Sequence, residues 1–226
     1  MLAKLDDVTK LYGKNDGLRD CTLAFPKGEV VGVLGLNGSG KSTMLKLLAG
    51  LLFPTAGRVT VFGGAPRANR ARIGYLGEND ALYTWMKPAD AERFMSGLYD
   101  DFDAVRYREL LDVLAVPRRK TKAMSKGERG RMRLAMALAR DVKLYLLDEP
   151  LAGIDLLSRE KILTSLVREW HTDEAILLST HEVAEAESLF DRVLLLREGR
   201  VALDASAEAL RSEGKSVVAA FREVLS

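Results

Sequence analysis

A single cysteine, Cys21, is the chain's whole complement of thiols, so no internal disulfide can form. Its strand-like setting predicts a buried neutral thiol in a reducing compartment. No apolar run approaches the roughly 20 residues that a bilayer-spanning helix needs, and Met1-Leu2-Ala3-Lys4-Leu5-Asp6 lacks the long apolar centre of a signal peptide. Both absences predict a cytosolic protein, for which any membrane role requires a partner. Charge of one sign is missing as well. The 34 Lys and Arg are interleaved with 32 Asp and Glu for a formal net charge of +2, which gives little support to nucleic-acid binding. The run Arg118, Arg119, Lys120, Lys122 reads as a solvated loop. No internal repeat or low-complexity stretch breaks the 226 residues, a length that suits one large domain or one domain with an inserted lobe.

What is present is an alternation of strand and helix patterns. Lys4 to Leu11 and Leu18 to Phe25 read as strands, Pro26-Lys27-Gly28 as a turn, and Val30 to Leu34 as a buried central strand. Met44, Leu45, Leu47 and Leu48 have helical spacing and predict a helix over Lys41 to Leu52, with Gly50 near its end. Arg58 to Phe62 and Ile73 to Leu76 predict strands, and Ala89 to Val116 an inserted helical lobe. Downstream come a helix from Ser125 to Arg140, a strand Leu144 to Leu147, a helix Leu156 to Trp170 and a strand Ala175 to Ser179. A helix near Val183 to Leu189, strands Arg192 to Leu196 and Arg200 to Leu203, and a helical tail complete the series. Such alternation predicts an α/β domain with a mainly parallel sheet, whose ligands lie beyond the carboxyl ends of the strands.

Gly35-Leu36-Asn37-Gly38-Ser39-Gly40-Lys41-Ser42 matches G-x-x-x-x-G-K-[ST] at every defined position, between a buried strand and a helix. Glycines let the backbone wrap phosphates with its amide hydrogens inward, and the helix that starts near Gly40 adds the positive end of its dipole. Lys41 is expected to reach the β- and γ-phosphates and Ser42 to bind Mg²⁺. Gly35, Asn37, Gly38, Ser39, Gly40, Lys41, Ser42 and Thr43 form the candidate nucleotide loop. The buried strand Leu144 to Leu147 runs into Asp148-Glu149. Asp148 is the expected second Mg²⁺ anchor, and Glu149 a general base that polarises an attacking water beyond the γ-phosphate.

These residues, with Met124-Ser125-Lys126-Gly127-Glu128 upstream, resemble the nucleotide-binding subunits of ATP-binding cassette transporters over essentially the whole chain. The five-residue segment is similar to that family's Leu-Ser-Gly-Gly-Gln signature. The resemblance implies a RecA-like P-loop NTPase core over about residues 1–77 and 141–226, with an N-terminal antiparallel β subdomain, and a helical subdomain over about 78–140. It implies ATP and Mg²⁺ as ligands, and a head-to-tail pair with a second nucleotide-binding subunit, identical or not. Ser125, Lys126, Gly127 and Glu128 would then close over ATP held on that partner, since a hydroxyl, an open backbone amide and a helix N-terminus make an anion site. A separate transmembrane permease would hold the protein at the inner face of the cell membrane, and no nucleic-acid partner is expected.

Further positions match the family one at a time. Tyr12 resembles the aromatic that stacks on adenine, though a strand-face core tyrosine fits as well. Asp155, in Leu151-Ala152-Gly153-Ile154-Asp155, resembles a residue that couples the two sites, or is a helix N-cap. His181 resembles the switch histidine on the γ-phosphate, whereas His171 reads as exposed. Glu78 stands where the family's glutamine touches Mg²⁺ and the attacking water; a carboxylate binds Mg²⁺ too but adds negative charge beside triphosphate. Lys126 replaces the first signature glycine, which requires a backbone not at positive φ, and its charge is a candidate counterweight to Glu78. The apolar, aromatic stretch Ala81 to Met86 suits either a permease-docking surface through Tyr83 or Trp85, or packing inside the lobe. The compact length and the Asp148 to Asp155 segment resemble bacterial exporter and antibiotic-resistance cassettes. The alternative is a soluble cassette ATPase of DNA repair or translation, a class that usually carries long coiled coils or paired cassettes.

Overall fold

In a computed structural model, which describes residues 1–13, 15–78, 82–154 and 173–225, two sheets share one molecule. The smaller is antiparallel, in the order β2-β1-β4, from β1 (Ala3–Tyr12), β2 (Asn15–Phe25) and β4 (Ala56–Val61). The larger has the order β5-β6-β7-β3-β8-β9. Its strands are β3 (Glu29–Leu34), β5 (Ile73–Leu76), β6 (Leu144–Asp148), β7 (Ala175–Thr180), β8 (Arg192–Arg197) and β9 (Arg200–Ser206), and only β9 runs antiparallel to its neighbour. Strands β3, β6 and β7 are almost continuous runs of Val, Ile and Leu with nearly every residue buried, as a parallel strand covered on both faces must be.

Helix α1 (Lys41–Leu48) packs beneath the central strands and ends earlier than its apolar spacing predicts. Ala49 caps it and Gly50 turns the chain at φ 68°, so Leu51 and Leu52 leave the helix. The helical stretch expected from Ala89 to Val116 is two helices, α2 (Pro88–Leu98) and α3 (Ala104–Val113). Asp103 divides them, because its carboxylate accepts from the amides of Val105 and Arg106 and so caps α3. Helix α4 (Lys126–Leu138) leads back to β6. Beyond β7 lie α5 (Val183–Ala186), then α6 (Ala207–Ser212) and α7 (Val217–Leu225) after the last strand. The helix expected over Leu156 to Trp170, His171 and Ala81 lie outside the described residues.

Apolar side chains gather into two buried clusters on either side of the large sheet. One joins β1, β2, β4 and α1 to one face, with Phe25, Met44 and Leu48 fully covered. The other joins α2, α3 and α4 to the opposite face through Tyr107, Leu110 and Met132. Cys21 is buried in the first cluster, where desolvation raises its thiol pKa.

Candidate functional site

The parallel register decides what meets at the carboxyl edge of the sheet. Leu34 at the end of β3 pairs with Thr180, Asp148 at the end of β6 pairs with Ser179, and Leu76 at the end of β5 pairs with Leu147. The loop after β3, Glu78 after β5, Glu149 after β6 and His181 after β7 therefore open on one edge.

The loop wraps tightly. Gly40, at φ 108°, is the N-cap of α1, and a Cβ there would overlap the carbonyl oxygen of Gly17, so only glycine fits. It offers no side-chain cap, which leaves the first amides of α1 turned toward the loop. Leu36, Asn37 and Gly38 form an exposed rim over the buried Ser39, whose hydroxyl oxygen has no hydrogen-bond partner among the described residues. Lys41 is 6% exposed and folds back across the loop, its Nζ donating to the carbonyls of Gly35 at 2.8 Å and Leu36 at 3.1 Å. Burial pulls its pKa below the ordinary lysine value, while Glu149, Asp148 and Glu78 pull the other way.

Asp148 is 1% exposed. Its Oδ1 accepts from Ser42 Oγ at 3.1 Å and from Ser179 Oγ at 2.7 Å, and its Oδ2 is buried without a partner among the described residues. A buried ionised oxygen left unpaired costs several kcal/mol unless a cation meets it, on the order of the penalty for an uncompensated buried charge. Glu149 takes φ 49°, a conformation that costs on the order of 1–3 kcal/mol. Its amide is held there by the Oγ of Ser179 at 3.0 Å and the carbonyl of Ser179 at 3.2 Å. The turn aims the carboxylate into the site: Oε1 lies 3.9 Å from Lys41 Nζ and Oε2 lies 3.0 Å from His181 Nδ1. Ser179 was not singled out from sequence, although a serine that ends an apolar strand is the signal it left. It fixes both acidic residues at once.

Tyr12 lies at the end of β1, 46% exposed, so it is not a core residue. Its ring covers Gly17, where a Cβ would come within 2.6 Å, and its hydroxyl lies 3.5 Å from Thr43 Oγ1. The ring thus lies half-exposed beside the start of α1, with the Lys10 ammonium 5.5 Å from its centroid.

The signature segment sits at the N-terminus of α4. Ser125 is the N-cap: its Oγ accepts from the amide of Glu128 at 3.1 Å, and Glu128 Oε2 accepts from the amide of Ser125 at 2.7 Å. Arg119 grips the same carboxylate at 2.8 and 2.9 Å, so that arginine is not merely solvated. The Ser125 amide first and Arg119 second hold the Glu128 carboxyl below the usual range. Lys126 is exposed in the first turn of α4 and is not at positive φ, which is why the glycine can be replaced. Gly127, expected to offer an open amide, is a buried residue in the first turn of α4, and a Cβ there would overlap the carbonyl oxygen of Gly153. Asp155 lies outside the described residues.

Glu78 is exposed at the mouth of a groove of about 610 Å³ between the sheet and the helical lobe, bordered by Leu82, Phe94, Leu98, Tyr99 and Arg133. Nearby, Tyr83 and Trp85 stack with centroids 5.8 Å apart and are each 56% exposed, so they do not pack inside the lobe. Met86 between lobe and turn is buried, and Thr121 latches the turn by donating to the carbonyl of Tyr83 at 2.6 Å.

Residues 18–152 match the protein family described as ABC transporter. The chain is 36% identical over 211 residues to the aliphatic sulfonates import ATP-binding protein SsuB of Pseudomonas putida KT2440, covering 91% of this chain and 77% of that one. Among solved structures it is similar to an ATP binding subunit of an ABC transporter, with 27% identity, a TM-score of 0.85 and complete coverage of both chains. It also resembles the dimeric post-hydrolysis state of the ATP-binding cassette MJ0796 bound to ADP and Pi, with 25% identity, a TM-score of 0.80 and coverage of 91% and 98%. The chain belongs to the ABC transporter family as an ATP-binding subunit, an ATPase whose hydrolysis of ATP is coupled to transport.

Proposed function

We propose that the protein binds MgATP at the carboxyl edge of its large sheet, pairs head-to-tail with a second nucleotide-binding subunit, and drives a separate membrane permease. The observation that carries this reading is the convergence of Lys41, Ser42, Asp148, Glu149 and His181 on one edge, with two buried oxygens, Ser39 Oγ and Asp148 Oδ2, lacking partners among the described residues. Ser42 and Asp148 suit Mg²⁺, a hard cation that takes one or two protein oxygens and otherwise phosphate and water. Mg²⁺ there would neutralise charge on the β- and γ-phosphates.

The chain's own groups divide the work. Loop amides and the N-terminus of α1 receive the phosphates, and Lys41 exchanges its two carbonyl acceptors for phosphate oxygens. Tyr12 stacks on the adenine. Glu149 accepts a proton from the attacking water, and His181, in contact with its Oε2, orients that carboxylate and faces the γ-phosphate. Glu78 lines the same edge. Ser125 and Lys126, exposed at the tip of α4, close over nucleotide on the partner subunit, while Gly127 supports them from beneath by its contact with Gly153.

The groove beside Glu78, together with the exposed Tyr83 and Trp85, receives the permease and holds the protein at the cytoplasmic face of the membrane; no described helix is itself long and apolar enough to cross one. Transport in the export direction finds no support in the sulfonate relative, which is named an importer. A Glu149→Gln variant is expected to bind ATP with near-normal affinity, hydrolyse it at least about a hundredfold more slowly, and dimerise more stably in MgATP. Light scattering that finds it monomeric at saturating MgATP, with normal turnover, would contradict the reading.

A further inference from the structure

Helix α4 is fastened to the chain at both ends of β5. Arg133 donates from Nη1 to the carbonyl oxygen of Glu78 at 3.3 Å and from Nη2 to that of Gly77. Seven residues on, about two helical turns, Arg140 follows the C-cap Ala139 and donates to the carbonyls of Ile73, at 3.2 Å, and Ala71. The two grips differ in what they hold. Ile73 opens a strand already paired with β6, whereas Gly77 and Glu78 lie beyond Leu76, the last paired residue of β5. Arg133 therefore restrains a segment that the sheet ladder has released.

At its other side Arg133 belongs to a rigid element. Its neighbours Met132 and Leu134 are fully buried in the lobe core, so α4 does not slide at this point without disturbing that core. Ser125, the N-cap that faces outward, is eight residues from Arg133, about 12 Å along the same helix. Two N–H donors in a planar fork suit two successive carbonyls, a geometry that an ammonium group does not reproduce. The residue so held opens on the same sheet edge as the phosphate loop and Glu149.

Resting on the nucleotide-site reading above, we propose that Arg133 is a positioning residue for ATP hydrolysis: its guanidinium ties the Gly77-Glu78 segment to helix α4, so that Glu78 moves with Ser125. When Ser125 engages nucleotide on a partner subunit, the shift of α4 is delivered to Glu78 through Arg133. Nucleotide binding in the same subunit rests on the loop and Lys41 and does not need this link.

The test uses the full chain with saturating MgATP, and reads kcat, the Kd for a fluorescent ATP analogue, and the melting temperature. Arg133→Met keeps the aliphatic stem and removes the donors. It is expected to lower kcat by about tenfold to a hundredfold, the cost of a misplaced group at a reacting centre, while Kd stays within about twofold. Arg133→Lys, which keeps the charge and an ammonium donor group but not the planar fork, is expected to recover part of the loss. Combined with Ser125→Ala, Arg133→Met should add little further loss, because both act through one link. A kcat unchanged in Arg133→Met, a Kd that weakens as much as kcat falls, or full additivity with Ser125→Ala overturns the role. If Arg133→Met does not fold, Arg133→Lys decides: a reduced kcat at unchanged Kd supports the role and wild-type turnover overturns it. Absence of MgATP hydrolysis in the unsubstituted protein overturns this role together with the site reading, whereas hydrolysis indifferent to Arg133 overturns this role alone.

Discussion

The two oxygens of Asp148 have different fates: one is shared by two serine hydroxyls, and the other is buried with no partner among the described residues. Such an asymmetry is what the proposed cation role would require, since an unpaired buried acceptor is destabilising on its own. Lys41 shows the complementary state, a cation made less basic by burial and returned toward its ordinary value by the acidic residues around it. If Lys41 holds phosphate as proposed, phosphate would favour the charged form further, and nucleotide binding would take up a proton once pH exceeds the lowered pKa of the free protein. ATP affinity is therefore expected to fall as pH rises through that value, below the pH at which a free lysine titrates, about 10.4. Fluorescence titration of an ATP analogue between neutral and alkaline pH would follow the fall, and Lys41→Met should bind weakly and without that dependence. At this scale the motif Gly35 to Ser42 was fully legible, because its residues are contiguous and local backbone geometry makes the site. Ser179 was not, since its partner Asp148 lies 31 residues away and only strand pairing brings them together.

Helix α4 shows how one element carries both a structural and a ligand-facing role. Its capping box uses Ser125 and Glu128 to satisfy each other's amides, which explains how a glutamate replaces the family's glutamine: either side chain accepts the Ser125 amide. Glu128→Gln is thus expected to cost under about 1 kcal/mol, the worth of an exposed pair with Arg119, and Glu128→Ala about 1 kcal/mol through the lost cap. Because the folded state depresses the Glu128 pKa, its contribution is present above the ordinary carboxylate range and is lost as pH falls through the depressed value. Chemical denaturation of the three proteins at neutral and acid pH would separate these effects. Gly127 is constrained from outside the helix. Its φ is not positive, yet the carbonyl of Gly153 leaves no room for a Cβ, so Gly127→Ala is expected to destabilise by about 1–3 kcal/mol through overpacking. Urea unfolding would measure it. Sequence periodicity found α4 to within two residues and the helical lobe as a whole, but not the break inside it, because α2 stops at Leu98 and α3 restarts at the Asp103 cap without a proline between them.

Across the whole molecule, Arg140 is a buried polar tie between the lobe and the sheet. It is 4% exposed, paired with both oxygens of Asp101 at 2.7 Å, stacked 3.6 Å over the ring of Tyr99, and bonded to carbonyls at the start of β5. Removing one member of a buried pair strands the other, so Arg140→Ala is expected to cost about 3 kcal/mol, the low end for such changes because Asp101 keeps some access to water. Loss of melting temperature with retained nucleotide affinity would be its mark. By itself the sequence determined the alternation of strands and helices, the phosphate loop, and the family, since each is written in contiguous residues whose physics is local. Tertiary structure alone decided which residues share an edge: that Glu149 turns at positive φ to face both Lys41 and His181, that Tyr12 leaves the core for solvent, and that Gly127 serves Gly153 as much as any ligand. Those outcomes rest on contacts between residues far apart in the chain, which pattern and spacing do not encode.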